Sequence, residues 1–451
     1  MGHSKKFNLD EKFVFSSKFQ RAAFITLGLG IVLFVIGVVS ISAGGGDSHD
    51  EHALTQTVDL LASAQEEGSG EAAHAEEGDA HGGGHHGYHW TTRIKSTLWH
   101  NSIFFLGISV IGIFFVALQY GAHAGWSALI KRIPESFGIF VPVAGIVLLI
   151  TFFWGNHEIF HWTHDYLYDP NSPQYDEIIA GKAPVLNFGF FIGATIIFIA
   201  GWYGFYHVMR NHSLAEDNEG GVKRFWKIKT LATVFIIFFA VSSSIASWIW
   251  ILSIDTHWFS TMFGWYVFAS WFVTGLSVIT LFVIFLKKAG YLAAVNENHI
   301  HDLGKFVFAF SVFWTYIWFS QFLLIYYANI PEETIYFMER LTSDYYSQIF
   351  FFNIVINFFF PFLALMTRNA KRKMNILRIV CFVVIIGHWF DFYLMITPGV
   401  LKDHGSLGPL EVGTFLIFAG LFLFIVGKRL ASAPLIAKNH PMMDESLHHS
   451  I

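Results

Sequence analysis

Long apolar runs separated by short polar ones set the pattern of this chain. Ten stretches, at about 22–41, 101–122, 137–160, 187–208, 230–252, 259–286, 305–327, 348–366, 376–396 and 410–426, are apolar almost throughout. Each approaches or exceeds the roughly 20 residues that a helix needs to cross a bilayer. None shows the period-two alternation of a lipid-facing strand. Closed barrels are therefore excluded, and helices are the other structure that satisfies its own backbone in lipid. The pattern predicts an all-α integral membrane protein of about ten transmembrane helices. The first run exceeds the core of a secretory signal and follows a basic start, so it reads as an uncleaved anchor.

The runs at 259–286 and 305–327 form a hairpin with polar rims. Asp255 and His257 stand at one end, His299, His301, Asp302 and Lys305 at the other, and Asn329, Glu332 and Glu333 close the return. Trp258, Trp265, Tyr326 and Tyr327 are placed where aromatic rings favour the membrane–water boundary. The stretch 42–90 is a different material, rich in Gly, Ala, Glu, Asp and His and too polar to form a core. It reads as a mobile loop with some helix around 53–65. LWHNSIFFLGI (98–108) and THWFSTMFGWY (256–266) echo one another weakly, which suggests two related four-helix halves.

Composition supports the membrane reading. Apolar residues make up 54% of the chain and charged residues 14%, with 51 Phe, too few charges to cover a soluble protein of this length. Of the 28 Lys and Arg, 23 fall on the side of the N-terminus and five on the other. That bias predicts cytoplasmic N- and C-termini, with the His-rich loop outside, in the periplasm if the cell is bacterial. Cys381 is the one cysteine. It permits no internal disulfide and no iron–sulfur cluster held by thiolates of this chain alone. There is no C-x-x-C-H for a covalently attached haem, and no nucleic acid partner is expected.

Several clusters could carry chemistry. His388 and Asp391, on the ninth helix, lie roughly 18 and 22 Å into a core about 30 Å thick. Spaced i, i+3, they share a face. A carboxylate at that depth must be paired, protonated or hydrated. The pair is either a lock between helices or a proton relay. NHEIFHWTHD, at the outer end of the third helix, places His157, His161 and His164 on one stripe and Glu158, His161 and Asp165 on another, provided the helix persists. A proton path and a hydrogen-bonded loop anchor both fit it, and a metal site is disfavoured because no matching second ligand group lies nearby in sequence. Asp255 and His257 suit helix capping at the outer rim. Ser242, Ser243, Ser244, Ser247, Ser320, Gln321, Asn353 and Asn357 put hydroxyls and amides in mid-membrane, as glue between helices or as supports for a water chain. HIHD (299–302) reads as a solvated loop before the Lys305 helix, with a point of proton entry as the alternative. His49, His52, His74, His81, His85, His86, His89 and His100 invite a transition metal, but their Gly-rich surroundings offer no preorganised geometry.

Several of these motifs carry a family resemblance. IDTHWFSTMFGWY (254–266), LGKFVFAFSVFW (303–314) and SQFLLIYYANIPEET (320–334), with WHNSIFFLG and the long His/Gly/acid loop, closely resemble the second NrfD-like (polysulfide-reductase-like, ActF-type) membrane subunit of bacterial alternative complex III, a quinol:cytochrome c oxidoreductase. The resemblance implies two four-helix bundles flanked by two outer helices. Residues 1–41 would be the cytoplasmic tail and first helix, 42–100 the periplasmic loop, 101–252 and 253–396 the two bundles, and 397–451 the last helix and cytoplasmic tail. It implies an inner-membrane assembly with a paralogous NrfD-like quinol-binding subunit, an iron–sulfur subunit, multihaem and monohaem cytochrome c subunits, and in some cases a terminal oxidase. Haem c and iron–sulfur clusters would belong to those partners, and this chain would hold bound lipid but no cofactor of its own. The paralogue's Trp/Asn/Gly-rich signature is not found here, which argues against a complete quinol site. The expected role is a non-catalytic or proton-conducting subunit. In it, Asp391 would take a proton from an inner route and pass it through His388 or ordered water towards Asp255, His257 and the 157–165 cluster. Two other classes compete: a stand-alone haem b protein, which needs paired deep histidines where only His388 is expected to be deep, and a secondary transporter, disfavoured because no helices are broken by Gly or Pro in matching positions.

Overall fold

The computed structural model describes residues 8, 10–44 and 89–450. Among them, ten helices are long and apolar enough to cross a membrane: α1 (Ser17–Ala43), α2 (Trp90–Gly121), α3 (Arg132–Ile159), α4 (Phe188–Glu219), α5 (Lys223–Ile254), α6 (Phe263–Lys288), α7 (Glu297–Ala328), α8 (Asp344–Ala364), α9 (Met374–His404) and α10 (Pro409–Leu430). The described residues contain no strand, only an isolated bridge between Lys12 and Pro434. The protein is an all-α, multi-pass membrane protein.

Helices α2 and α6 form the centre and bury almost every side chain. Helix α2 packs on α3, α5, α6, α9 and α10, and α6 packs also on α5, α7 and α9. Helix α4 closes against α3 and α5, and α8 against α7 and α9. Helix α1 is held by α10. Their backbones meet where α10 carries glycine: a methyl group on Gly413 would stand 2.4 Å from the Phe34 nitrogen, and one on Gly420 2.7 Å from that of Leu27. Membrane helices have little hydrophobic drive to associate, so small residues that allow this approach supply the contact.

The helices overrun the apolar runs. Helix α2 starts at Trp90, because His89 accepts the Thr91 amide as its N-cap. His100, grouped by sequence with the outer loop, is therefore inside a helix and buried. The loop's other predicted features, from His49 to His86 and the helix around 53–65, lie outside the described residues. Helix α7 starts at Glu297, where Asn296 and His299 form a reciprocal capping box. HIHD is thus helical and buried rather than a solvated loop. Trp258 is buried too, stacked on Tyr336 at 3.9 Å, whereas Trp265, Tyr326 and Tyr327 remain exposed.

Candidate functional site

His388 and Asp391 are both fully buried in α9, at the junction with α6, α7 and α8. Asp391 Oδ1 accepts from Tyr266 Oη and, at 3.0 Å, from Asn353 Nδ2. Its Oδ2 accepts from Ser270 Oγ at 2.8 Å and Trp314 Nε1 at 2.9 Å. Three neighbouring helices thus present four neutral donors to one carboxyl group, the full acceptor capacity of an ionised carboxylate. His388 Nδ1 is 3.6 Å from Asp391 Oδ2, beyond a good hydrogen bond, and the two are joined through Ser270, whose Oγ is 2.9 Å from that nitrogen.

Local sequence explains this convergence. Ser270 heads a stripe on α6 with Thr274, Ser277 and Thr280, all buried at helical spacing. Below Ser270 each hydroxyl bonds a carbonyl of its own helix, at 2.7–2.8 Å. On α8, Pro361 cannot donate to the turn before it, and residues Val355–Phe359 adopt a π turn in which Phe360 N–H reaches the Val355 carbonyl. Such bulges recur at functional sites. Here the turn carries Asn357, whose Nδ2 holds the Asn353 oxygen at 2.5 Å and so fixes the Asn353 amide on Asp391.

The chemical capacity follows from the serine. Ser270 has one hydrogen and two neighbours that want it. With Asp391 ionised, that hydrogen bonds Oδ2. With Asp391 protonated on Oδ2, the acid donates to Ser270 Oγ and the serine hydrogen turns to His388 Nδ1. Moving one proton along this line converts a neutral acid and neutral imidazole into a carboxylate and an imidazolium, and only hydrogens move.

Tyr266 connects this unit to the opposite end of the bundle from the N-terminal segment. It lines a small cavity with Gln321, Tyr336 and Arg340. Arg340 lies on the short Pro331–Thr342 helix between α7 and α8. It bonds Asp255 Oδ2 at 3.1 Å and the Leu394 carbonyl at 2.8 Å, over the Tyr336 ring at 3.3 Å. Burial works against the Arg340 charge, yet Tyr336 and Asp255 hold its guanidinium above the ordinary arginine value. Asp255 is therefore an ion-pair partner rather than a simple cap. Lys402 stands 4.0 Å from it and 2.8 Å from Glu339.

The stripe expected from NHEIFHWTHD does not form. Helix α3 kinks at Gly155 and ends at Ile159, and two single 3-10 turns follow. His157 and His164 nevertheless come together, ring centroids 5.0 Å apart, with His161 and His164 at 5.7 Å. Glu158 leaves the group to pair with Lys95 at 2.5 Å. Asp165 opens the second turn. His257 pairs with Asp176 at 2.5 Å. Burial alone would raise the Asp176 carboxyl; the Ile179 amide and His257 outweigh it and hold the group below its usual range. Burial lowers His161, and His164 and His257 lower it further. The rim residues thus form two groups: Asp255 with Arg340, and His257, Asp176 and His161 beside them.

Two further buried polar features depend on tertiary contact. His100 is a further buried histidine, with Nε2 3.0 Å from the Trp389 carbonyl. At the N-terminal face, Lys131, Arg132 and Arg210 are buried with Glu135, Glu216 and Asp217. Arg132 contacts Asp217 at 2.5 Å and Glu135 at 3.0 Å, Lys131 contacts Glu216 at 3.3 Å, and Arg210 contacts Glu135 at 3.6 Å. Among the described residues, no three His, Cys, Asp or Glu side chains are grouped as a metal donor set.

Neither a protein-family model nor a curated protein matches the chain.

Proposed function

We propose that this protein is a proton-conducting membrane subunit of a respiratory quinol:cytochrome c or quinol:oxidase oxidoreductase of the alternative complex III type. The observation that carries the reading is the Asp391–Ser270–His388 unit. It is an acid fully buried in a membrane helix, surrounded by neutral donors and joined to an imidazole by a hydroxyl that can face either way. Ionisable groups at such depth commonly mark an ion or proton route. In this reading the chain has no redox centre of its own and assembles in the bacterial inner membrane with the paralogous NrfD-like, iron–sulfur and cytochrome c subunits, with both termini cytoplasmic. The charge bias of the polar segments supports that orientation, and the 254–334 motifs support the family.

Two experiments test it. Affinity purification of the native chain from mild detergent should bring down multihaem and iron–sulfur subunits; recovery of the chain alone argues for a transporter instead. In sealed vesicles, Asp391→Asn should leave the complex assembled with quinol oxidation retained or slowed, while proton release per electron falls. An assembled variant with unchanged proton release makes the buried site purely structural.

A further inference from the structure

We infer that the cavity between Tyr266, Gln321 and Arg340 holds one ordered water, and that Gln321, through this water, is a positioning residue that lets Tyr266 serve both charge states of Asp391. The inference rests on the proposed proton exchange at Asp391.

The cavity has a volume of about 10 Å³, close to the least that admits a water molecule. Its walls are aromatic, with Trp318 and Phe350 among them, and its polar groups converge from three elements. Gln321 on α7 is 4% exposed, and its Oε1 has no hydrogen-bond partner. A buried amide oxygen left so keeps its full desolvation penalty, which a water donor removes. Arg340 has five N–H groups. Four are used, on the Leu394, Tyr336 and Met395 carbonyls and on Asp255. The fifth, on Nη1, has Glu339 Oε2 at 3.9 Å, beyond hydrogen-bond distance. A water here accepts from Arg340, donates to Gln321 Oε1, and keeps one hydrogen or lone pair for Tyr266 Oη. Three partners are what buried waters typically have.

The consequence concerns the Tyr266 hydroxyl. When Asp391 is ionised, Tyr266 donates to Oδ1. An acid proton that arrives at Oδ1, before it is carried by Oδ2 to Ser270, makes that oxygen the donor, and the Tyr266 hydrogen then needs another acceptor. The water supplies it by turning a lone pair towards Tyr266 while Gln321 holds one of its hydrogens. Without that acceptor, the protonated acid faces a hydroxyl that also points at it. The cationic Arg340 beside the water opposes a hydronium there, so the site assists the charge change of Asp391 without itself being the proton's exit.

The test uses the membrane-embedded full chain. A density map that resolves ordered water should show one molecule within reach of Gln321 Oε1 and Tyr266 Oη, lost in Gln321→Leu. In infrared spectra at fixed pH, the carboxylic C=O band assigned by its absence in Asp391→Asn should fall about three- to tenfold in Gln321→Leu, the effect of one lost hydrogen bond. An empty cavity in the wild-type map, no Asp391 acid band at any pH at which the protein stays folded, or a band unchanged in Gln321→Leu overturns the inference. Unchanged proton release in Asp391→Asn vesicles is the separate result that defeats the proton-conducting reading while the map and band still judge the water.

Discussion

The two groups of helices bury polar side chains by opposite rules. In α2–α5, three cations and three carboxylates meet at the N-terminal face and neutralise one another in pairs. In α6–α9, the carboxyl of Asp391 is held by a phenol, an indole, an amide and a hydroxyl, with the His388 imidazole 3.6 Å away. A charge fixed by an opposite charge cannot change without leaving its partner buried and unpaired, which is strongly destabilising. A charge held by reorientable neutral donors can be lost and regained at much lower cost. The first arrangement is a staple, and the second is the kind of holding that the proposed relay requires.

The sharpest way to break this comparison is to remove one charge from each group. Arg132→Met strands Asp217 and leaves Glu135 to Arg210 alone, so a loss of about 3–5 kcal/mol is expected. It should be read as a large fall in thermal stability or in the amount of assembled protein. Asp391→Asn keeps shape and two polar atoms but turns an amide NH2 towards donors such as Trp314 Nε1, a conflict worth about 1–3 kcal/mol. If Asp391→Asn destabilises more than Arg132→Met, the distinction between staple and proposed relay site is lost.

A smaller change separates packing from relay inside the second group. Ser270→Ala removes one donor from Asp391 and cuts its link to His388. The cost in stability is about 1 kcal/mol, yet coupled proton release in vesicles should fall as far as in Asp391→Asn. Trp314→Phe also removes one donor but leaves the Ser270 link intact, so a similar stability loss should accompany retained proton release. Equal proton release in the two variants would falsify a relay through Ser270.

How much of this was legible in the chain depends on what each residue reports. Helix number follows from apolar runs alone, because lipid leaves few alternatives. His388 and Asp391 stood out since ionisable residues are rare at that depth. Their donors did not: Tyr266, Ser270 and Trp314 look like ordinary residues of an apolar helix, although the Ser270–Thr274–Ser277–Thr280 spacing is a readable stripe. Arg340 does not stand out in the sequence, because its amphipathic helix is too short to register as a span. Lys131, Arg132 and Arg210 enter the sequence only as part of the charge bias, and only tertiary contact shows their carboxylate partners. The 157–165 stripe failed for a local reason: the turn breaks at Gly155, and helical spacing carries no meaning beyond it.

The smallest expected effect probes the edge of the staple. His440 lies in the segment after α10 and is buried against Tyr120 and Phe225, lining a cavity with Lys131. Burial, and then Lys131 and Arg132, lower it from 6.5 to about 2, so it is neutral when docked. The undocked histidine takes up a proton near 6.5 while the docked one does not. Stability of the docked state is therefore complete above 6.5 and erodes as pH falls from there towards 2. The segment is otherwise tied by Asn439 to the Asp217 carbonyl, by Glu445 to the Gly125 amide and by His449 to Asp302, at 2.7, 3.1 and 2.6 Å. Release should begin at this end and leave α2–α5 folded. Hydrogen exchange across residues 437–449 should quicken between pH 7 and pH 5.5 and do so much less in His440→Gln, whose side-chain oxygen still accepts the Met442 amide. Exchange with the same pH dependence in both proteins would show that the cations of the staple do not reach His440, and that their charge is spent entirely on their own carboxylates.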